Sequence, residues 1–139
     1  MKIVIPGTPV PQLRPRAVRM GKGIRMYDPK KVKDYKKYVA SVAKQEWKQE
    51  PLESALTVSI DVYRDIQKSG SKKNKQMKED KIILPTNKPD ITNYVKGIED
   101  ALNGIVYADD SQIVELIARK FYSHEPRIEI TVQEAKIST

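Results

Sequence analysis

The 139-residue sequence has no cysteine, which excludes disulfide scaffolds, thiolate zinc sites and cysteine nucleophiles together. Histidine occurs once, at His124, so multi-histidine metal centres and most triad chemistry are also excluded. No apolar run approaches the roughly 18 residues of a membrane span. The opening MKIVIPGTPVP is a short apolar stretch broken by proline, unlike a secretory leader. These absences point to an intracellular protein that uses neither membrane nor organic cofactor. Acidic residues are outnumbered too, 18 Asp and Glu against 26 Lys and Arg, for a net charge of +8. An excess of that size on one domain's length of chain suggests a polyanionic partner, most simply nucleic acid. The alternative is a protein that is merely basic.

What is present divides into short elements. Met1–Ile5 is apolar and β-branched, a strand ended by Pro6-Gly7. Pro6 to Met20 has no hydrophobic period and reads as an irregular loop whose cations Arg14, Arg16 and Arg19 can contact DNA. Gly21-Lys22-Gly23 is a turn, followed by a brief strand over Ile24–Tyr27. Asp28-Pro29 predicts a helix start, with Asp as cap and Pro first in the helix, running to about Gln49. Trp47, at the edge of its apolar stripe, reads as a packing anchor. Leu56–Ile66 alternates as a strand. Residues 67–81 hold six lysines without periodicity and predict a flexible basic loop, with Lys72, Lys73 and Lys75 as phosphate-gripping cations. Ile82–Leu84 suggests a short strand, and Gln112–Tyr122 and Arg127–Val132 two longer ones forming a hairpin around a turn that holds His124. The expected fold is a single α+β domain over residues 1–139 in the order β-β-α-β-α-β-β, with two main helices on one face of a mixed sheet.

The chemistry concentrates between Lys88 and Gln112, KPDITNYVKGIEDALNGIVYADDSQ. Asp90 is placed to cap a helix whose apolar residues recur through Ile91, Tyr94, Val95, Ile98, Ala101 and Leu102. Asn103-Gly104 supplies the stop. At roughly 100° per residue, Thr92, Asn93, Lys96, Glu99, Asp100 and Asn103 share the other side. Asp109-Asp110 follows. Carboxylates in a basic, cysteine-free chain suit Mg²⁺ or Mn²⁺, with Asp90, Asp109 and Asp110 as candidate ligands and Lys96 as a catalytic cation. Each piece also has an ordinary reading: Asp90 as a plain cap, Lys96 and Asp100 as a surface pair, Asp109-Asp110 as turn residues.

KPDITNYVKGIEDALNG followed by VYADDSQIVEL resembles the RusA family of Holliday-junction resolvases, a family often carried by phages and prophages. The family pattern is D-x-D-N, a lysine three residues after the Asn, D-A-L near the helix end, then D-D-x-Q entering a strand. Asp90, Asn93, Lys96, Asp100-Ala101-Leu102 and Asp109-Asp110-Ser111-Gln112 match it, most strongly over residues 88–116. The resemblance implies a Mg²⁺-dependent, cytoplasmic endonuclease, acting as a homodimer on branched DNA and nicking four-way junctions symmetrically in recombination and repair. It marks Asp90 and Asp110 as catalytic acids with Asp109 adjacent, Lys96 as the catalytic lysine, and Asn93 as a site or DNA-contact residue. The family's second aspartate is Thr92 here. That substitution leaves open a protein that binds junctions without cutting them.

Overall fold

Strand β4 (Leu56–Asp65) is central because every second side chain on it is apolar and has a neighbour on both sides. In the computed structural model, which describes residues 1–12, 16–21, 23–27 and 29–136, β4 pairs in parallel with β5 (Ile113–Ser123) and antiparallel with β6 (Arg127–Glu134). β6 in turn pairs antiparallel with β1 (Lys2–Pro6), giving the order β1-β6-β4-β5. The register lines up Ile3, Ile130 and Ile60 in one row and Ile5, Ile128 and Val62 in the next. All six are fully buried. Burying a side chain of that size contributes roughly 1.5–3 kcal/mol.

Helices α1 (Lys30–Glu46) and α3 (Ile91–Leu102) cover these rows with Val39 and Ala43 from one and Tyr94, Val95, Ile98 and Leu102 from the other. The mixed sheet with two main helices on one face agrees with the sequence. Pro29 stands at the N-cap of α1 rather than in its first turn, its carbonyl accepting the Val32 and Lys33 N–H groups at 3.0 and 3.1 Å. The expected cap, Asp28, lies outside the described residues. The helix ends at Glu46, short of Gln49, because Trp47 turns extended and buries its indole in the core. Its packing role is thus the observed one.

Several elements depart from expectation. Residues 16–20 are not irregular: β2 (Arg16–Met20) pairs antiparallel with β3 (Gly23–Tyr27) as a separate two-stranded sheet. The first arm, RAVRM, has two arginines among three apolar residues and is too short to show a period of two. The basic loop at 67–81 contains a two-turn helix, α2 (Lys72–Glu79). Ser71 caps it, accepting the Asn74 N–H at 3.1 Å, and its residues are good helix formers with a single apolar member, so no hydrophobic period announces it. Ile82 and Ile83 form bends and Leu84 is irregular, so no strand forms there. The last two strands are not a hairpin, since β4 lies between them. β6 is an interior strand with Ile128, Ile130 and Val132 buried, and β5 is an edge; alternation reveals a strand's faces but not its neighbours. Among the described residues no helix is long and apolar enough to cross a membrane.

The turn after α3 carries the site. Asn103 stays at negative φ (−58°), and Gly104 alone takes the left-handed conformation at φ +78°. A Cβ added to Gly104 would meet nothing within 4 Å, so the constraint is conformational rather than steric. Gly104→Ala should therefore destabilise the fold by about 1–2 kcal/mol in urea unfolding. Gly104→Asn, which tolerates that conformation better, should recover part of the loss.

Candidate active site on helix α3

The chain reverses after Leu102 and is pinned in two places. The Gly104 N–H donates to the Tyr107 carbonyl at 2.7 Å, and the buried Tyr107 returns its hydroxyl to the Glu99 carbonyl at 2.8 Å. Gln112 clamps the next turn. Its Nε2 donates to the carbonyls of Leu52 and Ser54, both at 2.9 Å, while its Oε1 accepts the Asp109 N–H at 2.8 Å. Asp109 caps the one-turn 3-10 helix Asp110–Gln112, its Oδ2 accepting the Ser111 N–H at 3.2 Å. Hydrogen bonding from Ser111 holds the Asp109 carboxyl below the usual aspartate range. The D-D-x-Q motif thus includes a latch, with glutamine needed because an amide both donates and accepts.

The reversal sets Asp110 against the third turn of α3. Burial pushes the Glu99 carboxyl above its ordinary range; the Asp110 charge and a hydrogen bond with it push the same way, and Lys96 opposes them. Lys96 donates to Asp100 Oδ1 at 2.9 Å, and Lys36 from α1 reaches Asp100 Oδ2 at 3.4 Å. The hydrogen bond and charge of Asp100 raise the Lys96 pKa, with Asp110 and Glu99 adding, so Lys96 keeps its proton. Burial, then the charges of Glu99, Asp110, Asp100 and Asp109, raises the phenol of Tyr107. One lysine and four carboxylates thereby share a small region.

Asp90 stands at the other end of the helix. Its backbone takes the N-cap conformation, φ −67° and ψ 149°, yet its carboxylate makes no capping bond. The expected cap role is therefore absent and the side chain is exposed. Asp90 lines a cleft with Pro11, Lys88, Pro89 and Asn93. Behind it Lys120 of β5 donates to the carbonyls of Asn87 and Pro89, both at 3.1 Å. Burial, then the neighbouring Arg64, lowers the Lys120 pKa, and Asp90 opposes them. Asn93 donates through Nδ2 to the Gln12 carbonyl at 3.0 Å, and the Gln12 N–H returns to the Asn93 carbonyl at 2.8 Å. Asn93 thus fastens the N-terminal segment to α3.

Asp110 is joined to Glu99 and Lys96; Asp90 is not part of that group, lying about 13 Å below Glu99 in helical rise. Among the described residues no three His, Asp or Glu side chains converge as a cation site. Lys72 and Lys73 are exposed on α2 and Lys75 is half-buried there; Arg16 and Arg19 fall on β2. Arg14 lies outside the described residues. His124 is an exposed turn residue. Sequence reasoning missed Glu99, Lys120 and Arg64. Glu99 was legible as a member of the polar stripe, but only the folded turn shows that it meets Asp110.

Because the fold raises the Glu99 pKa, protonation favours folding: the stabilisation is present at low pH and is lost as pH rises through the raised value. Glu99→Gln should thus raise the melting temperature at pH 7 by on the order of 1–2 °C. The gain should vanish below about pH 4, where glutamate is already protonated.

The family model described as endodeoxyribonuclease RusA matches residues 6–133. The Bacillus subtilis (strain 168) protein YqaN, described as uncharacterized, is 46% identical over 137 residues, covering 96% of each chain. The crossover junction endodeoxyribonuclease rusA of Lactococcus phage r1t is 42% identical over 50 residues, 35% of this chain and 38% of the phage protein. A family match across nearly the whole domain, on a fold that gathers the motif residues along α3 and the turn after it, makes this chain a member of the RusA endodeoxyribonuclease family.

Proposed function

We propose that the protein is a divalent-metal-dependent endonuclease that resolves four-way DNA junctions by paired symmetrical nicks, acting as a homodimer in recombination and repair. The observation that carries this reading is the Glu99–Asp110 carboxyl pair held beside Lys96 in a chain of a DNA-cutting family. Carboxylates forced together repel unless protonated or neutralised by a cation. Mg²⁺ takes one or two carboxylates and fills its remaining positions with water and substrate phosphate, so a pair of acids suffices; Mn²⁺ is a natural substitute. Asp110 and Glu99 are the acids at this end of α3, Asp109 lies adjacent, and Asp90 is the acid at the other. Such an ion, when bound, would lower the pKa of a coordinated water and balance charge on the leaving oxygen.

The remaining roles belong to the chain. Lys96, kept protonated and oriented by Asp100, offers a positive charge to the oxygens of the pentavalent phosphorane. Lys120 and Arg64 grip the 87–89 backbone and so fix where Asp90 begins the helix. Asn93 holds the N-terminal segment along the site, and the cations of β2 and α2 contact the DNA backbone.

Purified protein with Mg²⁺ or Mn²⁺ should nick a synthetic four-way junction in symmetrical pairs. Asp110→Asn and Asp90→Asn should abolish nicking, and Lys96→Met should slow it by about 10²–10³-fold, each with junction binding retained. Binding should weaken steeply with salt, as expected when Lys and Arg displace counterions. If the wild type binds junctions and neither metal yields cleavage, the nuclease reading is wrong. The protein would then be a junction-binding member in which Thr92, in place of the family's second aspartate, has removed the activity.

A further inference from the structure

We infer that Ile82 and Leu84 form an apolar wedge that enters a base step of the bound DNA near the branch point. This rests on the junction-binding reading above and gives the loop before Asp90 its task there. α2 closes on a left-handed residue: the Lys81 N–H donates to the Lys78 carbonyl at 3.2 Å and the Ile82 N–H to the Met77 carbonyl at 2.9 Å. Glycine is the usual occupant of such a position, yet Lys81 holds it at φ 63°. Its ammonium lies 4.4 Å from the centre of the Phe121 ring and 5.5 Å from that of Tyr63, contacts that a glycine would forfeit. The next residue in a turn of this kind is ordinarily apolar and folded back on the helix. Here it is Ile82, and it is 65% exposed, with Leu84 48% exposed. The loop beneath them is held in place. Ile83 donates its N–H to the Met77 carbonyl at 3.1 Å, Pro85 is buried, and Lys120 holds the carbonyls of Asn87 and Pro89.

The partner is DNA because of the charge that borders the pair. Residues 72–88 carry six lysines against two acids. Both acids are engaged within the protein: Asp80 accepts from Gln76 at 2.9 Å, and Glu79 accepts the Ser123 hydroxyl and the His124 N–H. Lys72, Lys73, Lys81 and Lys88 are exposed and can meet phosphates on either side of the tip. Apolar side chains set among such cations fit the gap between stacked bases, where Ile and Leu wedges partly unstack a step and kink the duplex. Stacking is already interrupted at a branch point, so entry costs least there. A wedge carried on a held loop also loses little freedom on entry. Leu84 precedes Asp90 by six residues, so the two stand at most about 22 Å apart. The opened step therefore lies within about six base steps of the nucleotide at Asp90.

The probe is a synthetic four-way junction carrying 2-aminopurine at successive positions within about six nucleotides of the branch point. It is saturated with the full chain in EDTA, so that no strand is cut. Wild type should raise the fluorescence at one or more positions by at least about twofold over the free junction, as an unstacked base does. Ile82→Ser combined with Leu84→Ser should return the signal to that of the free junction. Because both side chains are exposed, the melting temperature of this variant should match wild type, and its junction affinity should fall by less than about tenfold, the lysines being intact. Ile82→Leu, and Val4→Ser on the exposed side of β1, should keep the full rise. A saturated junction with no rise at any position, or a rise that survives the double serine variant, overturns the proposal and leaves the pair to a protein partner. Cleavage of the same junctions in Mg²⁺ or Mn²⁺ separates the two readings. A rise without cleavage keeps the wedge and rejects the nuclease, cleavage without a rise does the reverse, and a chain that does not bind the junction rejects both.

Discussion

The structure depends on a turn that brings negative charges together against their mutual repulsion. Two side chains hold it. Tyr107, fully buried, anchors the turn to the backbone of α3, and Gln112 anchors its far end to the segment before β4. All three bonds end on carbonyls, so none depends on the ionisation of the acids they position. The cost of crowding Asp110 against Glu99 is therefore borne by hydrophobic burial and neutral hydrogen bonds elsewhere in the fold. The turn is thus held by uncharged donors and acceptors.

A second consequence concerns Asp100. It receives Lys96 from its own helix and Lys36 from α1, so it is both a neighbour of the acidic group and a fastener between the two helices that cover the sheet. Lys96 is thus oriented by a carboxylate whose position depends on the packing of α1 against α3. Its placement is coupled to core geometry through a single side chain. The same logic holds at the other end, where Lys120 extends from the sheet to grip the loop that begins α3.

Much of this was legible in the sequence, and the reasons for success and failure are physical. The apolar stripes of α1 and α3 are fixed by the 3.6-residue period, and the alternation of β4 and β6 by the period of two, so these elements could be read directly. α2 could not, because a helix held by one cap and a few edge contacts has no apolar stripe to show. The partners of β5 could not be read either, since strand pairing is decided by the packing of remote segments. The motif identified Asp90, Lys96 and Asp110 as residues of interest. It did not reveal that Asp90 would forgo its cap, nor that Glu99 rather than Asp90 would stand beside Asp110, because both follow from the path of the chain between Gly104 and Gln112.

The sheet order has a consequence for assembly. β6 is the last strand along the chain, yet it occupies an inner position, flanked by β1 from the opposite end of the sequence and by β4 from the middle. Until residues 127–134 arrive, β1 has no strand to pair with and one long side of β4 is bare. A nascent chain released even slightly early would therefore expose two unsatisfied strands at once. Among the described strands, the keystone of the sheet is thus the one laid last.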